Sequence, residues 1–382
     1  MKGIGEKITE YLRYTDKFLW LLVIGVNTLS LLLIASMQRA VEYNYLKTQI
    51  FALVIGTAGA LIISFIDYKY IKKLWWAAAA AGLGLIAVVF LFGIRVEGTD
   101  DMAWINIGGI SLQPSEIVKI CFIVTLSFHL SYLSQHNKIK SFLQICLLAI
   151  HAAVPILLIH FQGDDGSALI FALIFVIMTF ASGVQIRYYL LSLLAIALCA
   201  PFIWSKVMND DQKNRILVLF DLDENAKTVF GWQQYQGKLS IAAGGYTGEG
   251  LFNGTRVEYG IVPEQENDFI FTVAGEELGF IGCCLILLLF LLILLRIFYK
   301  SASARDEFGQ NLCVGIFALI LSQAVVNLGM VLGFLPVVGV TLPFFSAGGT
   351  SLMCLMLCIG IVQSVHIYSN DDRLIIKPHE NE

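Results

Sequence analysis

The sequence predicts an all-α polytopic membrane protein, and three observations predict it. Of its 382 residues, 57% are hydrophobic and only 14% charged, more apolar surface than a soluble domain can hide. Those residues gather in about ten runs long enough to cross a hydrocarbon core. The runs are joined by short polar links, with one long glycine-rich exception.

In chain order, residues 1–17 read as a cytoplasmic segment. Ile4, Ile8, Tyr11 and Leu12 are spaced to form one face of a short surface helix, although a plain tail fits as well. Spans follow at about 18–37, 48–66, 75–94, 117–134, 142–160, 167–183, 188–206, 269–299, 311–332 and 349–368. A signal peptide is the competing reading of the first, but the run is long and a second follows closely. Ser127, His129 and Ser131 interrupt the fourth. Residues 207–268 form a large extracytoplasmic loop between helices 7 and 8, and 369–382 a short tail. The whole chain reads as one membrane domain.

An even number of spans places both termini on one side. Lys2, Lys7, Arg13, Lys17, Lys69, Lys72, Lys73, Arg187, Arg296 and Lys300 all fall there, which makes it the cytoplasmic side. The opposite face carries Asp100, Asp101, Asp164, Asp165 and the long loop, so any chemistry faces outward. A net charge of −4 gives no basis for binding nucleic acid. The eight cysteines sit within apolar runs without metal-ligand or disulfide-framework spacing, and read as small apolar residues.

Five polar stretches could carry chemistry. Gln113-Pro114-Ser115-Glu116 starts a helix, with Glu116 and Lys119 three apart on one face; they form either a satisfied structural pair or charges in an outward cavity. Gln162–Ser167 is a turn in which Ser167 or Asp165 caps the next helix, or in which acids face the same cavity. Gly244, Gly245, Gly248, Gly250 and Gly254 have neither the spacing nor the βαβ setting of a nucleotide loop, and suit tight folding or close approach to a ligand. Asp268 stands where the long loop re-enters an apolar run. It either caps that helix or is a desolvated base with a raised pKa, and of Glu276 and Glu277, about two turns later, one reads as a structural partner within the bundle. Last, Pro336 and Pro343 among Gly329, Gly333, Gly339, Gly348 and Gly349 imply a broken or re-entrant segment.

These stretches, in this order, resemble the shape, elongation, division and sporulation family (RodA, FtsW, SpoVE) from Trp104 to Gln363. The resemblance rests on Gln113-Pro114-Ser115-Glu116 with Lys119, Pro263-Glu264 with Asp268-Phe269-Ile270-Phe271, Gly275-Glu276-Glu277-Leu278-Gly279, and the tail from Asn327 to Gly349. It implies a peptidoglycan glycosyltransferase of the bacterial plasma membrane that polymerises lipid II onto a nascent glycan strand. The partner it implies is a class B penicillin-binding protein, among membrane lipids. Asp268 matches the family's essential aspartate and would be the general base. Glu116, Lys119, Asp164, Lys238, Arg256, Glu264 and Ser346 are the substrate-binding candidates, and Lys119, Arg256, Lys238 and Arg215 the cations for the diphosphate leaving group. A divalent cation, Mg2+ or Mn2+, is an alternative source of that positive charge.

The chain departs from the family pattern at Asp100–Ala103, Gly163, Asp165, Glu249, Arg256, Asn267 and Ala347. These changes bear on substrate contacts rather than on Asp268. Two other functions compete: a flippase for the lipid-linked precursor, and a non-catalytic scaffold that activates a penicillin-binding protein.

Overall fold

The computed structural model describes residues 11, 13–40, 43–94, 102–107, 110–220 and 229–369. Most of the segment proposed as a surface helix, Asp100, Asp101 and the tail beyond residue 369 lie outside the described residues. The described helices are α1 (Lys17–Met37), α2 (Tyr45–Ser64), α3 (Tyr68–Lys73), α4 (Trp75–Phe92), α5 (Pro114–Gln135), α6 (Phe142–Phe161) and α7 (Asp165–Ala181). They continue as α8 (Ile186–Phe202), α9 (Asp210–Leu217), α10 (Val229–Ala243), α11 (Thr255–Glu258), α12 (Ile270–Ala302), α13 (Glu307–Val331) and α14 (Gly349–Ser369). Among the described residues nine helices are long and apolar enough to cross a membrane, and α7 adds a shorter apolar helix of 17 residues. The ten predicted spans therefore correspond to ten helices.

Polar residues set where these helices begin. The carboxylates of Asp16, Asp164 and Asp306 and the amide of Asn44 accept main-chain N–H groups of α1, α7, α13 and α2 that have no intrahelical partner. The cap of α7 is thus Asp164 rather than Ser167 or Asp165, because its Oδ1 reaches Ser167 N at 2.8 Å. Pro114 opens α5, where its missing N–H costs nothing.

Small residues bring the helices close. A Cβ on Gly360 of α14 would lie 2.5 Å from the Ala60 carbonyl of α2, and one on Gly315 of α13 would lie 2.5 Å from Ile123 of α5. This is packing by backbone approach, as between helices in lipid. The exception is α8, which has no buried residue. Pro201 removes a helical N–H near its end, and one π turn, Ile203–Val207, follows.

The two segments expected to face outward both have structure. A two-stranded hairpin, β1 (Ile105–Ile107) and β2 (Ile110–Leu112), precedes α5. The long loop contains α9, α10 and α11. α10 lies along α12, with Gly237 against Phe269 and Thr272 and Ile241 over Gly275. α12 is broken at Gly279, whose φ is 63°. The loop 245–250 is spliced into that break. Glu249 N and Gly250 N donate to the carbonyls of Glu276 and Glu277, while Phe280 N donates to Gly245 O.

Between α13 and α14 the chain is irregular, and Val340, Leu342, Phe344, Phe345 and Ser346 are buried. Ser30 of α1 donates to Phe345 O at 2.9 Å and Gln49 of α2 to Ser346 O at 3.1 Å. Non-helical backbone survives here because neighbouring helices satisfy it.

Candidate active site

Asp268 lies just before α12, in the turn 264–269. Phe269 occupies the cap position and Asp268 makes no capping bond. Its main chain is nevertheless held. Asn327 Nδ2 of α13 donates to Asp268 O at 2.8 Å and to Val340 O at 2.7 Å. Ser346 Oγ donates to Asn267 O at 2.6 Å and accepts from Leu342 N, while Ala347 N donates to Glu266 O. The irregular segment and the Asp268 turn are therefore stitched together over three consecutive residues, 266 to 268.

The carboxylate itself accepts no hydrogen bond among the described residues. Gly339 lies beside it, where an added Cβ would stand 3.8 Å from Oδ2. Burial, with the charges of Glu264, Glu266 and Asp164, pushes the Asp268 pKa up to about 7, against an opposing pull from Arg215. An acid near neutrality with open lone pairs is suited to taking a proton.

The acids around it are fixed in different ways. Glu264 is exposed at φ 54°, and its Oε2 accepts from Asn267 Nδ2 at 2.8 Å. Glu266 accepts from Tyr45 Oη of α2 at 3.1 Å; burial, together with the Glu264 charge, raises its pKa. Asp164 is nearly buried. Beyond its cap bond, its Oδ2 accepts from Gln113 Nε2 and Ser115 Oγ, joining the start of α5 to that of α7. Its neighbour Asp165 accepts from Gln212 of α9, which places α9 across the α6–α7 turn. Arg215 of α9 then donates from Nη1 to Val337 O at 2.9 Å, beside Gly339 and Asp268.

The remaining candidates lie elsewhere. Lys119 and Glu116 form an ion pair at 2.8 Å with only 2% and 5% of their side chains exposed, and the pair faces Cys354 and Cys358 of α14. Arg256 donates from Nε to Ser240 Oγ and from Nη2 to Gln236, both on α10. Lys238, half-buried on the same helix, makes no hydrogen bond or ion pair among the described residues. Glu276 and Glu277 both serve the fold: Glu276 Oε1 accepts from Arg256 N and Val257 N at the start of α11, and Glu277 accepts from Ser36 of α1. No three His, Cys, Asp or Glu side chains among the described residues converge as metal ligands.

Sequence reasoning singled out Asp268 and Asp164 as candidates but not Asn327, which it read only as part of a motif. An amide one turn from the end of an apolar helix was the available signal, since such a group needs partners at that depth.

This arrangement is that of a multi-pass membrane protein whose candidate site combines, among the described residues, an aspartate without a hydrogen-bond partner, a cluster of acids and a nearby arginine. The chain belongs to the FtsW, RodA and SpoVE family of cell cycle proteins, whose model matches residues 14–371. It is 31% identical over 370 residues to the probable peptidoglycan glycosyltransferase FtsW of Trichlorobacter lovleyi, covering 94% of each chain. With the peptidoglycan glycosyltransferase MrdB of Escherichia coli it shares 33% identity over 284 residues, 74% of this chain and 75% of that one. Among solved structures it resembles a chain from a peptidoglycan synthase complex that coordinates polymerization and crosslinking. The TM-score there is 0.79, at 27% identity, with 94% of this chain and 99% of that chain covered. The rod shape determining protein RodA of Thermus thermophilus gives a TM-score of 0.68 at 25% identity, with 94% and 98% covered.

Proposed function

We propose that this protein is a peptidoglycan glycosyltransferase that polymerises lipid II at the outer face of the bacterial plasma membrane, with Asp268 as general base. Asp268 takes the proton from the 4-hydroxyl of the acceptor sugar. That oxygen attacks the anomeric carbon of the donor from the face opposite the leaving group, and the C–O bond to the diphosphate breaks. The bonding pair leaves with undecaprenyl pyrophosphate, so an α-linked donor becomes a β-1,4 link in one inverting step. No enzymic nucleophile is required, and the anionic leaving group needs cationic stabilisation more than a proton.

The observation that carries this reading is the Asp268 carboxylate, raised to about 7 by burial and neighbouring acids and without a hydrogen-bond donor among the described residues. Arg215 is the cation whose field reaches it, and we assign it the diphosphate. Asp164 and Glu264 border the acceptor and donor sugars. Lys119 and Glu116, closed on each other, support the helices behind the site. A divalent cation, Mg2+ or Mn2+, held by the diphosphate itself would be the alternative source of the positive charge it needs.

The single membrane domain has both termini in the cytoplasm, and residues 207–268 form the outward loop. The crosslinking partner is a class B penicillin-binding protein, a reading supported by the likeness to a chain of a synthase complex. Purified protein, co-expressed with that partner and given labelled lipid II, tests the proposal. Glycan strands from wild type and none from Asp268→Asn are expected. Equal product from both removes Asp268 from the chemistry, and no product from either intact complex favours the flippase or scaffold.

A further inference from the structure

Asn327 is a polar group beside the site that the transfer step does not use. It is fully buried on α13, and its one amide nitrogen serves two main-chain carbonyls from different parts of the chain, Asp268 and Val340. A side chain engaged this way fixes the distance between the turn that carries the carboxylate and the irregular segment that lies over it. Ser346 makes the same kind of tie one residue earlier, receiving Leu342 N while donating to Asn267 O. Neither side chain points a free donor at solvent. The Asp268 turn has no helix of its own to hold it, since α12 begins only at Ile270.

We propose that Asn327 is a positioning residue for Asp268, fixing the main chain and hence the aim of its carboxylate, with Ser346 as a second tie. This rests on Asp268 being the base of the transfer. It also changes the role of Ser346 from a substrate contact to a support for the base. The tie matters chemically because a reacting group moved by about 1 Å can lose roughly a hundredfold in rate. It also keeps the carboxylate among the groups that face it. Those are Glu264 and Glu266 of its own turn, Asp164 at the start of α7 and Arg215 of α9. If the turn loosens, water reaches Asp268 and its acidity returns toward the ordinary aspartate range.

The test is lipid II polymerisation by the full protein with its co-expressed partner, across pH 5 to 9, for Asn327→Ala, Ser346→Ala, Ser346→Thr and Asp268→Asn. Asn327→Ala and Ser346→Ala are expected to lower kcat by about 10- to 100-fold while KM for lipid II stays within about twofold. The acid limb of their rate profiles moves below the wild-type limb. Ser346→Thr keeps the hydroxyl and recovers most of the rate. A raised KM with an unmoved acid limb for Ser346→Ala would make it a substrate contact and overturn its part of the proposal. Wild-type kcat and an unmoved limb in Asn327→Ala overturn the proposal as a whole. If Asn327→Ala fails to fold, Ser346→Ala and Ser346→Thr decide through the same two readouts. Full activity in Asp268→Asn instead refutes the base assignment itself, a result separable from failure of the tie.

Discussion

Gly248 and Gly279 meet backbone to backbone: a Cβ on Gly279 would stand 2.3 Å from the Gly248 nitrogen, and one on Gly248 would stand 2.1 Å from the Glu277 carbonyl oxygen. Both residues have positive φ, 79° and 63° in chain order. The contact is what lets the loop after α10 replace the helical bonds that α12 gives up at its break. It joins the glycine-rich stretch of the long loop to the Gly275–Gly279 motif, two features that look unrelated along the chain.

Substitution at this contact is therefore costly twice, once for the left-handed backbone and once for the clash. Gly279→Ala is expected to destabilise by about 2–4 kcal/mol, and Gly248→Ala by a similar amount. Because both disturb one contact, the double variant costs less than the sum. Thermal midpoints of the detergent-purified variants measure this, and strict additivity would show that the loop and the break are independent.

Asp268 predicts a pH dependence of opposite sign for rate and for stability. As the proposed base, with a pKa of about 7, it would act when ionised, so the wild-type rate is expected to rise with pH through about 7. Its folded-state value lies above the unfolded one. Ionisation is therefore easier in the unfolded chain, and stability declines as pH rises from the ordinary aspartate range to about 7. Asp268→Asn lacks that decline. It is expected to be inactive yet more stable at pH 8, by an amount on the order of 2–4 kcal/mol, with the difference fading toward pH 4. Melting curves of the two proteins at pH 4, 6 and 8 test the sign directly.

The spans were legible because lipid demands long apolar runs whatever the tertiary arrangement, and Glu116–Lys119 was legible because residues three apart share a helix face. Asp268 was ambiguous between cap and base from local spacing. Only the structure removes the cap reading, with Phe269 in the cap position and Asn327 on the Asp268 carbonyl, a contact 59 residues distant in sequence. α10 was not legible as a helix. Gln233, Gln234, Gln236, Gly237 and Lys238 break any long apolar run, and its stability comes from packing on Phe269 and on Thr272 and Gly275 of α12. Gly279 read as a motif glycine, since nothing nearby in sequence announces that Gly248 fills the break.

The Lys119–Glu116 pair separates support from substrate contact. Removing one partner leaves a buried charge unpaired, so Lys119→Met alone is expected to cost about 3–5 kcal/mol, whereas Glu116→Gln with Lys119→Met should recover most of it. Polymerisation by the double variant then decides the role. A rate within about threefold of wild type is expected for a support, and loss of activity in the folded double variant would place Lys119 on the substrate.

At the opposite end of the bundle, Asp16 joins three helices. Its carboxylate caps α1 through Leu19 N, accepts two bonds from Arg296 of α12 at 2.6 and 3.1 Å, and lies 2.9 Å from Lys300 Nζ. Gln363 of α14 completes the join, donating to Asp16 O and accepting from Asp16 N. Burial alone would raise the acid's pKa, but the hydrogen bonds from Arg296 and Lys300 outweigh it and hold the pKa at about 2. A depressed carboxylate stabilises the fold above the unfolded aspartate value near 3.8 and loses that contribution as pH falls toward 2. Asp16→Asn keeps the shape and removes the charge, leaving buried Lys300 short of its counterion. The expected loss is about 2–4 kcal/mol at pH 7, shrinking below pH 4 as wild type becomes protonated too. A lowered thermal midpoint at pH 7 that converges with wild type in acid supports this account. A pH-independent difference would mean that Asp16 acts through its cap bond rather than its charge.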